Sequence, residues 1–76
     1  MRVISQNGLI DVPYEMTAFR NSEGMILMNM VGEAGRGSVM ARYSSTEKAD
    51  KAMRECRRCY GCFNVKIFQF PADEEI

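Results

Sequence analysis

Ala49, Ala52, Met53, Cys56, Cys59 and Tyr60 recur at offsets of 0, 3, 4, 7, 10 and 11 residues. That spacing draws one apolar stripe along an α-helix. Ser44 stands before the stripe as an N-cap, with Glu47 three residues on in the spacing of a capping box. Gly61 suits the left-handed position that closes a helix. A helix over about residues 45–60 with a single apolar face must bury that face against something. The other apolar runs of the chain read as strands, so the economical partner is a sheet with one face covered.

The strand pattern begins at Asn7-Gly8, which supplies two positive φ values for a type I′ turn. It places strands near residues 2–6 and 9–12. Pro13 cannot donate to a ladder and marks an edge, bulge or break. Tyr14 to Arg20 alternates loosely as a third strand, and Asn21-Ser22-Glu23-Gly24 is a turn cluster. Met25 to Val31 is expected to be the most buried strand. Ile26, Met28 and Met30 would face one side, and Met25, Leu27 and Val31 the other. The glycine-rich Gly32–Gly37 forms a hairpin tip leading to a strand over Ser38–Tyr43. After the helix, Asn64 to Phe70 alternates as a last strand, and Pro71 ends it. The expected fold class is α+β: a mostly antiparallel, curved sheet of about five to six strands carrying one helix. The order in sequence is β-β-β-β-β-α-β.

A chain of 76 residues holds one domain, 1–76, with residues 72–76 expected as a short frayed acidic tail. At 46% hydrophobic and 26% charged residues it reads as globular, yet so short a chain is marginal without extra support. Ten basic and ten acidic residues leave no bulk attraction for nucleic acid. The zero is uneven, because the segment from residue 41 onward carries the charged helix and three acids at Asp73, Glu74 and Glu75. No run reaches the ~18–20 apolar residues of a transmembrane helix. Met1 to Gly8 has no apolar core of the kind a signal peptide carries. A cytoplasmic protein without membrane contact is expected.

The absence of histidine removes the commonest general base and the commonest metal ligand. Cys56-x-x-Cys59-x-x-Cys62 matches part of an iron–sulfur ligand run. A tetrahedral site usually needs four ligands, and there is no fourth cysteine. Cys56 and Cys59 lie on the helix stripe, where a thiol acts as a small hydrophobe, and Cys62 falls where a helix-closing motif tucks an apolar group back. Neighbouring arginines could lower a thiol pKa, which keeps a reactive thiol in view. Arg54, Arg57 and Arg58 are weak nucleic-acid candidates. Glu47–Lys51 and Asp50–Arg54 have the four-residue spacing of a self-paired helix face, and Arg57 and Arg58 suit the helix dipole. Gly32-x-x-Gly35-x-Gly37-Ser38 lacks the Gly-Lys-Ser/Thr ending of a phosphate loop. Tyr14, Tyr43 and Tyr60 are expected to pack with their hydroxyls at the surface. No nucleophile–base pair is visible, so no enzyme and no cofactor are expected.

Met1-Arg2-Val3-Ile4-Ser5-Gln6-Asn7-Gly8 with Asp11-Val12-Pro13-Tyr14-Glu15 forms one distinctive segment. Ala41-Arg42-Tyr43-Ser44-Ser45-Thr46-Glu47-Lys48-Ala49 and Phe68-Gln69-Phe70-Pro71-Ala72-Asp73-Glu74-Glu75 form another. Together they resemble short bacterial proteins of unknown function, many of them prophage-associated. The resemblance covers both ends of the chain and omits Thr17 to Val39. It implies a small stand-alone protein of mobile-element origin and carries no activity.

These readings converge on a non-enzymatic protein–protein interaction module whose partner is itself or another protein. A sheet with one helix covers one face, and Met25, Leu27 and Val31 on the other face are the candidate contact surface. A small nucleic-acid-binding regulator using Arg54, Arg57 and Arg58 is the alternative. A thiol or metal-binding protein through Cys56, Cys59 and Cys62 comes third.

Overall fold

A computed structural model describes all residues, 1–76. Five strands precede the helix and one follows it: β1 (Arg2–Ile4), β2 (Asp11–Pro13), β3 (Thr17–Ser22), β4 (Met25–Met30), β5 (Ser38–Arg42), α1 (Thr46–Tyr60) and β6 (Ile67–Gln69). Short 3₁₀ turns occupy Tyr14–Met16 and Asp73–Glu75. The α+β class with one helix matches the expectation, while the two 3₁₀ turns interrupt the expected order. The single sheet of five to six strands does not form. The strands divide into two three-stranded sheets, ordered β2-β1-β6 and β3-β4-β5. Three of the four pairings are antiparallel, and β1 with β6 is parallel.

The division has a local cause. Pro13 ends β2, and the chain turns through the 3₁₀ segment where a continuous strand from Tyr14 to Arg20 was expected. The Thr17 hydroxyl donates to the carbonyls of Tyr14 (2.9 Å) and Pro13 (3.2 Å), fixing the corner from which β3 departs. Proline has no amide hydrogen to extend the ladder, so the next strand begins a new sheet.

The two-residue hairpin lies elsewhere than Asn7-Gly8. At Glu23-Gly24 both residues have positive φ, 53° and 94°, as a type I′ turn requires, and Ser22 pairs with Met25 across it. The Asn21 carboxamide oxygen accepts from the Gly24 amide at 3.0 Å. Around Asn7, only Gly8 has positive φ. Asn7 instead uses its side chain, which accepts from the Ser5 hydroxyl (2.7 Å) and the Leu9 amide (3.0 Å). The connection from β1 to β2 is correspondingly longer, with Ser5 bonded to Ile10 at its base (2.8 Å).

Met25–Met30 holds three consecutive buried residues, Ile26, Leu27 and Met28. Its ladder with β5 contains a bulge: Ile26 faces Ala41 and Leu27 faces Val39, so Met40 is the extra residue. Both sheets and the helix share one core. Val3 and Val12 come from the first sheet, Ile26, Met28, Met40 and Ala41 from the second, Ala49, Ala52 and Cys56 from α1, and Phe68 and Phe70 from the end of the chain. Each large side chain buried there contributes about 1.5–3 kcal/mol.

Gln6 joins the two sheets. Its amide donates to Met40 O (2.8 Å), its Oε1 accepts from the Arg42 amide (3.0 Å), and its Nε2 donates to Arg42 O (3.2 Å) and Pro71 O (3.0 Å). The edge of β5 is thereby closed without another strand.

The acidic tail is docked, in contrast to the expected fraying. Asp73 Oδ1 accepts from the Ser44 amide (2.8 Å) and hydroxyl (3.2 Å), and Lys48 Nζ lies 3.6 Å from it. The Tyr43 hydroxyl, expected at the surface, is turned inward and donates to Pro71 O (2.8 Å). Burial, together with Asp73 and Glu75, pushes that phenol up to about 12. The bonds from Ser44 hold the Asp73 carboxyl below its usual value of 3.8. A lowered pKa in the folded state means stability that is present above the usual value and lost as pH falls through the lowered one. Acid titration of the urea midpoint is expected to show a shallower loss of stability for Asp73→Ala than for the parent chain. Asp11 beside Arg2 and Glu55 beside Arg58 shift the same way, so the variant keeps some acid dependence. Identical pH profiles would remove Asp73 from the account.

Candidate functional site

The helix begins one residue later than the sequence suggested. Ser45 is the N-cap, and its hydroxyl accepts from the Lys48 amide at 3.2 Å. Ser44, the expected cap, is committed to Asp73, so the capping box with Glu47 does not form. At the other end Gly61 is right-handed, with φ −76°, and no left-handed closure occurs. Ala49, Ala52 and Cys56 are buried, while Met53 and Cys59 are half-buried along the same stripe.

The polar face pairs differently from the four-residue spacing. Neither Glu47–Lys51 nor Asp50–Arg54 closes as an ion pair. Asp50 Oδ1 accepts from the Asn21 side chain (2.8 Å), tying the first half of α1 to β3. Glu55 binds Arg58, three residues on, which holds the Glu55 carboxyl below its usual range and raises the guanidinium. Among the nucleic-acid candidates, Arg58 is therefore engaged, whereas exposed Arg54 and Arg57 form no ion pair.

Beside Arg57 lies a mostly apolar cleft. It opens between α1 and the corner that leads into β3, has a volume of about 170 Å³, and is lined by Tyr14, Thr17, Phe19, Met53, Cys56, Arg57 and Phe70. Tyr14 stacks on Tyr60 at 4.4 Å between ring centroids and an interplanar angle of 24°. Phe19 meets Phe70 edge-on at 5.9 Å. No aspartate or glutamate lines the cleft, so its one charged member is Arg57. Of these residues the sequence pattern marked Met53 and Cys56 through the stripe and Arg57 as a basic candidate, and it placed Phe70 only at the end of the last strand. Tyr14, Thr17 and Phe19 were expected in one continuous strand, and nothing in its alternation told that a 3₁₀ corner would bring them beside the helix.

The Cys56 thiol faces a different environment from the one its arginine neighbours suggested. Burial pushes it up to about 12, the neighbouring Cys59 adds to the rise, and Arg57 opposes both only in part. At neutral pH it is a protonated hydrophobe, which is a poor nucleophile. Cys59 and Cys62 are half-buried, and none of the three forms a disulfide. No group of three or more histidine, cysteine, aspartate or glutamate side chains is placed to hold a metal ion. Alkylation with iodoacetamide under mildly alkaline, native conditions is expected to modify Cys59 and Cys62 well before Cys56. Urea should equalise the three. Mass spectrometry of the digested protein reads this directly, and equal native rates would contradict the burial of Cys56.

The expected contact surface is not one surface. Met25 is half-buried, with its sulfur 3.1 Å from Arg42 Nη1. Leu27 is 2% exposed. Its cross-strand neighbours are Arg20 and Val39, and the Arg20 guanidinium reaches across this face to Arg36 O at 2.7 Å. A long charged side chain can cover apolar surface in this way. Val31 is 68% exposed, but it lies in the turn beyond the end of β4. The glycine segment from Gly32 to Gly37 connects two antiparallel strands, as a hairpin tip. No helix is long and apolar enough to cross a membrane.

No family model matches the chain, and it has no match among curated proteins or solved structures.

Proposed function

We propose that the chain is a non-enzymatic interaction module that binds polypeptide through the cleft between α1 and the β3 corner. The cleft itself carries the reading. Five of its seven lining residues are hydrophobic, and Arg57 stands beside them with no ion-pair partner. At about 170 Å³ it falls below the ~300 Å³ at which small-molecule sites begin, and suits one large side chain. The stacked tyrosines and the protonated Cys56 thiol supply contact area without a base or a nucleophile. The mobile-element origin implied by the resemblance of the chain's ends belongs to the same proposal and fits a small adaptor.

The test is panning of the full chain against a random peptide library displayed on phage, with light scattering over a concentration series. Enriched peptides whose binding is lost in Met53→Glu support the module, as does a dimer dissolved by that substitution. The amide spectrum of the variant establishes that it remains folded. No enrichment from a strictly monomeric chain overturns the reading. Salt-dependent DNA or RNA binding lost in Arg54→Ala and Arg57→Ala, with no peptide bound, replaces it with the nucleic-acid reading.

A further inference from the structure

The second sheet has two edges, β3 and β5. Gln6 closes β5 through its bonds to Met40 and Arg42. The edge of β3 is open. The Val31 amide donates to Met16 O at 2.8 Å, which fixes the phase of the ladder. In an antiparallel pair the bonded positions alternate, so Met16, Ala18, Arg20 and Ser22 turn their backbone groups toward β4. Thr17, Phe19 and Asn21 then turn theirs outward. The Thr17 amide is taken by Tyr14 O. The amides and carbonyls of Phe19 and Asn21 take part in none of the turn, loop or cap bonds of the chain.

Native edges are usually blunted by lysine, proline, a bulge or extreme shortness. Over its six residues β3 contains no lysine and no proline, its one charged residue, Arg20, is committed to Arg36 O across the sheet face, and its register with β4 runs without a break. The edges of the first sheet, β2 and β6, are three residues long, and β2 ends in proline. One edge of the molecule is therefore long, regular and unpaired, and the apolar cleft opens at two of its residues, Thr17 and Phe19.

Resting on the module reading, we infer that an extended segment of a partner protein adds to β3 as a fourth strand, seating one large apolar side chain in the cleft and an acidic group against Arg57. Strand addition gives affinity through main-chain bonds and specificity through pockets for alternate side chains. Here the outward groups of Phe19 and Asn21 supply the bonds. The wall formed by Met53, Cys56 and Phe70 supplies the pocket. Charge complementarity selects the flank: Arg57 has no ionic partner, Arg54 lies one turn earlier on the same helix, and the cleft holds no carboxylate.

The test uses the peptides enriched from the phage library, synthesised with one backbone amide methylated at a time. Methylation at every second amide is expected to lower affinity at least tenfold, and methylation at the intervening amides to leave it within about threefold. Hydrogen exchange at the Phe19 and Asn21 amides should slow at least tenfold in the complex, while Ala18 and Arg20 are already protected in the free chain. Arg57→Glu should lower the affinity of acidic peptides at least tenfold and improve that of basic ones. Peptides that bind with no period-two dependence and no protection of Phe19 and Asn21 overturn strand addition and leave the cleft as a docking site. A dimer built through the cleft overturns the foreign segment in favour of a second copy. Failure to enrich any peptide from a monomeric chain overturns the inference together with the module reading.

Discussion

Phe70→Ala is expected to abolish the cooperative unfolding transition at room temperature. Phe70 is 2% exposed and lies just beyond β6, between Phe68 at 5.2 Å and Phe19 at 5.9 Å. Phe68 belongs to the first sheet and Phe19 to the second, so this one ring ties the two sheets together. Truncating a buried phenylalanine costs about 3–5 kcal/mol through lost transfer energy and the cavity left behind. A core this small supplies a total stability of roughly 3–5 kcal/mol, so the substitution removes most or all of it. Ile67→Ala is the control. Ile67 lies three residues earlier, in β6, but is half exposed, and its loss should stay within about 0.5 kcal/mol. Thermal melts followed by circular dichroism distinguish the two. A sigmoidal melt for Phe70→Ala within a few degrees of the parent would mean that the sheets are held together elsewhere.

Gly37→Ala is expected to destabilise far more than Gly35→Ala, although both positions lie in the same hairpin loop with φ of +89° and +100°. The left-handed conformation charges any Cβ about 1–2 kcal/mol. At Gly35 that is the whole effect, because nothing lies within 4 Å of the added carbon. At Gly37 the carbon would sit 2.5 Å from Met28 O and 2.8 Å from Asn29 Oδ1. The asparagine side chain can move, but the Met28 carbonyl belongs to β4 and cannot shift without disturbing the ladder with β5. Overpacking of this kind adds about 1–3 kcal/mol, for a total near 2–4 kcal/mol. Urea midpoints of the two variants provide the measurement. Equal losses would show that the loop gives way and that the approach of the two strands is not a constraint.

The stripe from Ala49 to Tyr60 was legible because a helix carries its own period, and burial of Ala49, Ala52 and Cys56 follows from it directly. The helix cap was not. Ser44 and Ser45 are chemically equivalent N-caps, and the choice was made by Asp73, which captures Ser44 from the far end of the chain. Likewise Asn7-Gly8 and Glu23-Gly24 both end in glycine. The second became the two-residue hairpin because β3 and β4 pair along their full length around it, while the side chain of Asn7 found two local partners and a wider turn.

The contact surface expected at Met25, Leu27 and Val31 rested on alternation along β4, which says which residues share a face and nothing about what covers it. Arg20 crosses that face to reach Arg36, and the chain turns before Val31. The cleft leaves no mark in the sequence for the complementary reason. Its walls come from the 3₁₀ corner, β3, α1 and the segment after β6, four places that no sequence window joins.

Local preference in the sequence determined that six strands and one helix form, the apolar stripe of α1, and a core too small to lose a large side chain. Those are properties of short segments, set by helical or strand period and by turn chemistry. Tertiary structure decided the parallel pairing of β1 with β6, the role of Gln6 and the docking of the tail. It also decided which edge stays open. Each of these depends on a backbone group finding a partner tens of residues away, and that choice is made by what is left unpaired once the local elements have formed.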